Sequence, residues 1–184
     1  MNSLGYTLLG MIARKPSSGY ELKRNLEGFW HVEYSQIYPL LSKMEQEGLT
    51  TYELEEQSGN KPDKKIYSIT SKGLTLLKEW LPKPPAPPVQ RDEFLAKVNT
   101  MWLTEPYTMK LLFEERIAAF KKQVAHHKEE LRVMEEQFGD GVQDLSSIYF
   151  GRYMLYHQRL RHDQEEIAWC EWVLSIVNKQ LSSK

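Results

Sequence analysis

Five of the seven residues from 82 to 88 are proline (Pro82-Lys83-Pro84-Pro85-Ala86-Pro87-Pro88), and no other stretch limits the architecture as much. Each proline fixes its φ and lacks an amide hydrogen, so neither a continuous helix nor a central strand can run through the segment. It reads as a stiff, extended connector in preference to a docking peptide for a proline-recognising domain. The 184 residues are therefore expected to form two bodies, 1–81 and 92–184, joined by a proline-rich linker at 82–91. Hydrophobic residues at 41% and charged residues at 27% supply a core for each half and exclude a disordered, highly charged chain.

No run approaches the roughly 18 apolar residues of a membrane span, and the N-terminus lacks the basic and then apolar pattern of an export signal. A cytoplasmic protein with no membrane partner is expected. Cys170 is the only cysteine, which rules out an intrachain disulfide or a cysteine zinc cluster, and it is expected to serve as a small apolar residue on a helix face. The formal charge is −1, from 24 basic and 25 acidic residues. Any nucleic-acid binding must then rest on local placement of a few cations.

The first half alternates helix signals with one hairpin. Leu4, Leu8, Leu9, Met11 and Ile12 line one face of a helix that stops at Lys15-Pro16. Ser18-Gly19-Tyr20-Glu21 has capping-box spacing and opens a second helix with Leu22, Leu26 and Phe29 on its buried side. In the third, Ile37, Leu40, Leu41 and Met44 form an apolar stripe, while Ser35, Pro39, Ser42 and Gln46 lie opposite and Gln36 and Lys43 sit on the shoulder. Ser35 is the expected N-cap, which keeps Pro39 near the helix start, and Gly48 is the expected left-handed cap at its end. Strand formers at 49–54 and 65–70 flank a turn-rich tip at 58–63, and Thr70 or Ser71 caps a fourth helix that turns Leu74, Leu77 and Leu81 inward.

Three helices followed by a hairpin make a winged helix-turn-helix, whose third helix enters the major groove while the wing touches the backbone. A protein-interaction module on the same fold is the alternative, because fold alone does not give function.

Past the linker, two heptad-like seams recur. The first runs Phe113, Ile117, Phe120, Val124, His127, Leu131, Met134 and Phe138; the second runs Tyr149, Tyr153, Tyr156, Leu160, Asp163, Ile167, Cys170, Leu174, Val177 and Leu181. Gly139-Asp140-Gly141 breaks the helix between them, so the two should fold back antiparallel. Facing residues in such a hairpin have numbers of nearly constant sum, and matching His127 with Asp163 centres the fold-back at residue 145. The pair is expected to face one another and fix the register, with a turn toward solvent or a second subunit as the alternative. Trp169, Trp172, Val173 and Ile176 give the last helix a second apolar flank, which a second copy of the chain is expected to cover.

The chain as a whole resembles the PadR family of transcriptional regulators. The likeness is carried by Leu8-Leu9-Gly10-Met11-Ile12, Ser18-Gly19-Tyr20-Glu21-Leu22, Ser35-Gln36-Ile37-Tyr38-Pro39-Leu40-Leu41, Glu47-Gly48-Leu49 and Lys65-Ile66-Tyr67-Ser68-Ile69-Thr70-Ser71-Lys72-Gly73, in the family's order and spacing. Asp92-Glu93-Phe94-Leu95-Ala96-Lys97-Val98 looks like the opening of the long C-terminal domain of its phenolic-acid regulators and virulence activators. The resemblance implies a mainly α fold with a small β-hairpin: an N-terminal winged helix-turn-helix and a C-terminal antiparallel, coiled-coil-like dimerisation domain. It implies a homodimer on a roughly palindromic double-stranded operator, blocking transcription until an effector loosens it. An activator or a ligand-independent regulator stays open.

Ser35, Gln36 and Tyr38 match the family's recognition-helix motif, and Gln36 suits an adenine edge. Tyr20 matches a position near the DNA backbone, and Lys43, Lys61, Lys64 and Lys65 are candidate phosphate contacts. Glu53, Glu55 and Glu56 depart from the pattern, since carboxylates facing DNA repel it. The family's effectors include phenolic acids, and Trp30, Trp80, Phe94, Trp102 and Tyr107 are the aromatic residues that could line a small aromatic effector's pocket, with plain packing near the hinge and domain ends as the alternative. No phosphate loop, paired-histidine zinc motif or serine elbow is present, so an enzyme, a cofactor or a metal site is not expected.

Overall fold

The computed structural model describes residues 1–26, 30, 32–56, 63–88 and 92–182. They fall into two compact units, Met1–Ala86 and Pro87–Lys184.

The first unit runs α1 (Ser3–Arg14), α2 (Gly19–Leu26), α3 (Tyr34–Gln46), β1 (Thr50–Glu55), β2 (Lys64–Ile69) and α4 (Ser71–Trp80). Caps decide where its helices begin. Asn2 accepts from the Gly5 amide at 2.9 Å, and Thr70 accepts from the Gly73 amide at 3.1 Å. Ser18 and Glu21 form a reciprocal box, Ser18 Oγ accepting from the Glu21 amide at 3.2 Å and Glu21 Oε2 from the Ser18 amide at 2.8 Å. The core gathers Leu8, Leu9, Ile12, Leu22, Leu26, Ile37, Leu41 and Met44, none more than 1% accessible. Each such side chain stabilises the fold by about 1.5–3 kcal/mol relative to staying in water. Phe29, expected beside them, lies outside the described residues, as does most of the expected turn tip.

Two expectations for this unit are corrected. The N-cap of α3 is Glu33, in extended conformation at φ −99° and ψ 154°, and not Ser35. Glu33 and Gln36 have capping-box spacing themselves, and the Gln36 side chain accepts from the Glu33 amide at 3.0 Å, so the helix can start earlier. Pro39 consequently sits inside the helix, where it gives no amide hydrogen to the Ser35 carbonyl. In α4, Leu74 and Leu81 are 40% and 64% exposed, and the inward face is Gly73, Leu76, Leu77 and Trp80. Gly73 sets that rotation. A Cβ there would stand 2.3 Å from the Leu49 carbonyl oxygen, so only a glycine lets the helix start press against the β1 entrance.

α3 ends as its sequence suggests. Gly48 takes φ 68°, its amide donates to the Glu45 carbonyl at 3.0 Å, and the Leu49 amide donates to the Met44 carbonyl at 2.8 Å. This Schellman closure turns the chain directly into β1. The hairpin is antiparallel in the register Thr50↔Ile69, Tyr52↔Tyr67 and Leu54↔Lys65. Ser17 bridges to Tyr67 and ties the start of α2 to the wing.

The second unit runs α5 (Glu93–Asn99), a short 3-10 turn at Met101–Leu103, α6 (Pro106–Phe138), a second at Gly139–Gln143 and α7 (Phe150–Ser182). α6 and α7 pack along the two seams: Phe113, Ile117, His127, Leu131 and Met134 are buried on one, Tyr153, Asp163, Cys170 and Val177 on the other. The lone thiol is shielded in this seam, and burial pushes the Cys170 pKa up to about 11. α5 folds onto the hairpin. Its Phe94 ring meets Phe113 edge-on at 5.0 Å and Trp169 at 6.4 Å. Asp92, the N-cap of α5, receives Arg116 at 2.7 Å, and Arg116 also reaches Glu166 at 2.7 Å. The Arg116 guanidinium holds the Asp92 carboxyl below its ordinary range. Among the described residues no helix is long and apolar enough to cross a membrane.

Candidate nucleic-acid interface

α3 has one side in the core and one in solvent. Ile37, Leu41 and Met44 are buried, whereas Ser35, Gln36, Tyr38, Pro39, Ser42, Lys43 and Gln46 are all exposed. The outward groups are mostly hydroxyls and amides, the side chains that read base edges and bond phosphate.

Tyrosines border this face. Tyr20, at the start of α2, is 58% exposed, and Tyr38 is 49% exposed with its ring laid over Gly19, where a Cβ would be 2.8 Å from Cε1. Tyr34 stacks on Tyr38 at 6.0 Å between centroids, and the Lys23 ammonium sits 4.7 Å from the Tyr34 ring centre. Tyr34 was not among the expected site residues. Its four-residue spacing from Tyr38 on the solvent side of the helix is the signal that marks it.

The candidate cations are near this face, and carboxylates already hold them. Lys43 lies 3.8 Å from Glu47, and Lys64 lies 3.4 Å from Glu21 and 3.8 Å from Glu55. Lys65 reaches Glu45 of α3 at 3.3 Å, with its ammonium 3.6 Å from the Tyr52 ring centre. The Ser18 amide, the Ser18 hydroxyl and Lys64 together hold the Glu21 carboxyl below its ordinary value against the opposing effect of burial. Lys61 lies outside the described residues. Strand register places Glu53 and Glu55 on the hairpin face opposite Tyr52 and Lys65, so those carboxylates point away from the side that meets α3.

In the second unit the structure brings His127 and Asp163 together: Nδ1 stands 2.9 Å from Oδ2, and the side chains are 5% and 2% accessible. The expected second flank of α7 divides. Trp169 and Val173 pack, part-buried, against the cluster of Met101, Phe113, Ile117 and Cys170 in the same chain, while Trp172 and Ile176 stay 60% and 41% exposed. Trp169 is thus partly covered within its own chain, by Phe94 of α5.

The five aromatic effector candidates have separate surroundings. Trp80 stacks on Tyr6 at 4.6 Å, Trp30 is 37% exposed, Phe94 is engaged with Phe113 and Trp169, and Trp102 and Tyr107 are 80% and 62% exposed. Arg116 went unnoticed in the sequence. Arg116–Glu166, Phe113–Trp169, Phe120–His162 and Glu130–Arg152 share one constant sum of residue numbers, the mark of a single flank along an antiparallel pair.

Comparison with known proteins follows the same division. Residues 8–79 match the transcriptional regulator PadR-like family, and residues 90–178 match the virulence activator alpha C-terminal domain. The negative transcriptional regulator PadR of Bacillus subtilis is 29% identical across 97% of this chain and 100% of its own length. The crystal structure of B. subtilis PadR in complex with operator DNA matches with a TM-score of 0.81 at 27% identity, covering 96% of this chain and 98% of that one. The structure of the same protein with p-coumaric acid gives 0.71 at 27% identity, covering 96% and 99%. With a winged-helix unit followed by an antiparallel helical unit, the chain belongs to the PadR-like family of transcriptional regulators.

Proposed function

We propose that this chain is a repressor that binds a roughly palindromic operator as a homodimer and is released by a small aromatic acid. The observation that carries the reading is the solvent-facing amide and hydroxyl side of α3, which has no role in its own unit's core. Its likeness to a PadR solved on operator DNA supports the same use here.

In this reading Ser35, Gln36 and Tyr38 address base edges, while Tyr20, Lys43, Lys64 and Lys65, with Lys61 beyond the described residues, address the backbone. The helical unit pairs two copies, with Trp172 and Ile176 as the part of the flank left for the partner. Two copies then present their α3 helices about 34 Å apart, one helical turn of duplex. Release by an aromatic acid is supported by the p-coumaric acid complex of the B. subtilis relative and by exposed rings at Trp102 and Tyr107. An effector works only if it favours a dimer geometry that fits DNA worse. The protein is expected to act on the chromosome in the cytoplasm, without a metal or cofactor.

The test is binding-site selection from genomic DNA by the purified protein, followed by release with a series of phenolic acids. A Gln36→Ala/Tyr38→Ala variant should keep its helical signal and its sedimentation as a dimer but lose at least about tenfold in affinity, the worth of one good base contact. Undiminished binding by that variant would reject the assignment of α3 as the reader.

A further inference from the structure

The Gln36 amide is not free to choose which of its ends faces DNA. Its Oε1 accepts from the Glu33 amide at 3.0 Å, one of the amide hydrogens at the start of α3 that no helical carbonyl can satisfy. A backbone N–H requires an acceptor, so the oxygen must be the end turned back to the helix. The other end, Nε2, has no hydrogen-bond partner among the described residues, and Gln36 is exposed.

We propose that Gln36 reads the operator as a hydrogen-bond donor alone, and that its base is guanine. This rests on the reading of α3 as a DNA-recognition helix. Adenine recognition by glutamine needs both ends of the amide, the nitrogen for N7 and the oxygen for the N6 amino group. Turning the oxygen to adenine gives up the bond that caps the helix, a loss that weakens binding about fivefold. Guanine asks for no such exchange. It presents N7 and O6, two adjacent acceptors with no donor between them, and an amide nitrogen held by its capped oxygen can meet both. Adenine also sets its own amino group beside N7, where it opposes a second donor. The capping box thus acts as a selector: the bond that starts the helix decides which edge of the side chain is left for the base.

Glutamate separates the two roles of this side chain, because it serves a capping box as well as glutamine does but has no N–H to donate. Operator sites are first selected from a randomised duplex library by the full-length protein. Affinities of wild type, Gln36→Glu and Gln36→Ala are then measured on the selected site and on every single-pair change. The base pair read by Gln36 is the one whose preference flattens in Gln36→Ala. That pair should be G·C in the wild-type site, and Gln36→Glu should lose the guanine preference there by tenfold or more while unfolding at the wild-type temperature. An A·T pair at that position overturns the proposal, as does a Gln36→Glu variant that still prefers guanine. A Gln36→Ala variant with every preference intact overturns it too, leaving the side chain as a cap only. Failure of the wild type to select any sequence would instead reject the DNA-reading assignment itself.

Discussion

Replacing His127 with leucine should cost about 3–5 kcal/mol, whereas replacing His127 and Asp163 together should cost little or nothing. Both side chains are nearly inaccessible, and they meet at 2.9 Å in the α6–α7 seam with leucines and tyrosines along it. Removing the imidazole leaves a carboxylate with neither water nor its partner, and that uncompensated charge is the source of the large figure. Leucine occupies about the volume of imidazole, so loss of packing adds little. A double leucine variant removes both desolvated groups and joins the layers above and below, which hold Ile167 and Leu131. It should stand within about 1 kcal/mol of wild type or above it. The cycle then gives a coupling of at least about 2 kcal/mol, the double variant being more stable than the sum of the two single losses would make it. The assay is guanidinium unfolding followed by the helical signal, at one fixed subunit concentration because self-association raises apparent stability. A His127→Leu variant within about 1 kcal/mol of wild type would mean that the Asp163 carboxylate is not left as an uncompensated buried charge. A double variant as unstable as the worse single one would show that the site needs these groups for packing and not for charge.

Two further outcomes follow from the reading unit. Gly73→Ala brings a methyl against the Leu49 carbonyl and should destabilise by about 1–3 kcal/mol even though alanine is the better helix former; a thermal midpoint equal to or above wild type would show that α4 simply shifts. Glu21 has a folded-state pKa below its ordinary 4.5, so the stability it lends is complete above that value and lost as pH falls through the lower, folded-state one. An acid titration of thermal stability should therefore flatten in Glu21→Gln below about pH 4.5, and identical slopes for both proteins would remove the Ser18–Lys64 clamp from the account.

Most of the fold was legible because its signals are local. The seams of α6 and α7 follow heptad spacing, the Ser18–Glu21 box and Gly48 mark helix ends, and the proline run separates the halves. The failures came where a distant group decided the outcome. Leu74 and Leu81 look inward on periodicity, but the approach of Gly73 to the Leu49 carbonyl rotates α4 away from them. Ser35 is the better cap by residue type, but Glu33 and Gln36 close a box two residues sooner. Trp169 looks like surface for a partner until Phe94 of α5, a helix too short to announce its packing in sequence, is seen against it. The face of α3 could be inferred from its stripe, whereas the carboxylates beside Lys64 and Lys65 on α2 and α3 could not. Glu21 and Glu45 belong to helices far from the wing in sequence, and only the fold brings them to Lys64 and Lys65, whereas Glu47 stands one helical turn from Lys43.

Those occupied lysines bear on how such a protein would search a genome. An ammonium that leaves a carboxylate for a phosphate exchanges one ionic partner for another, so its attraction to arbitrary duplex is muted and little counterion release drives it. Residence on random sequence would be brief and sampling correspondingly quick. Discrimination would then fall to uncharged contacts that form only when the right bases arrive.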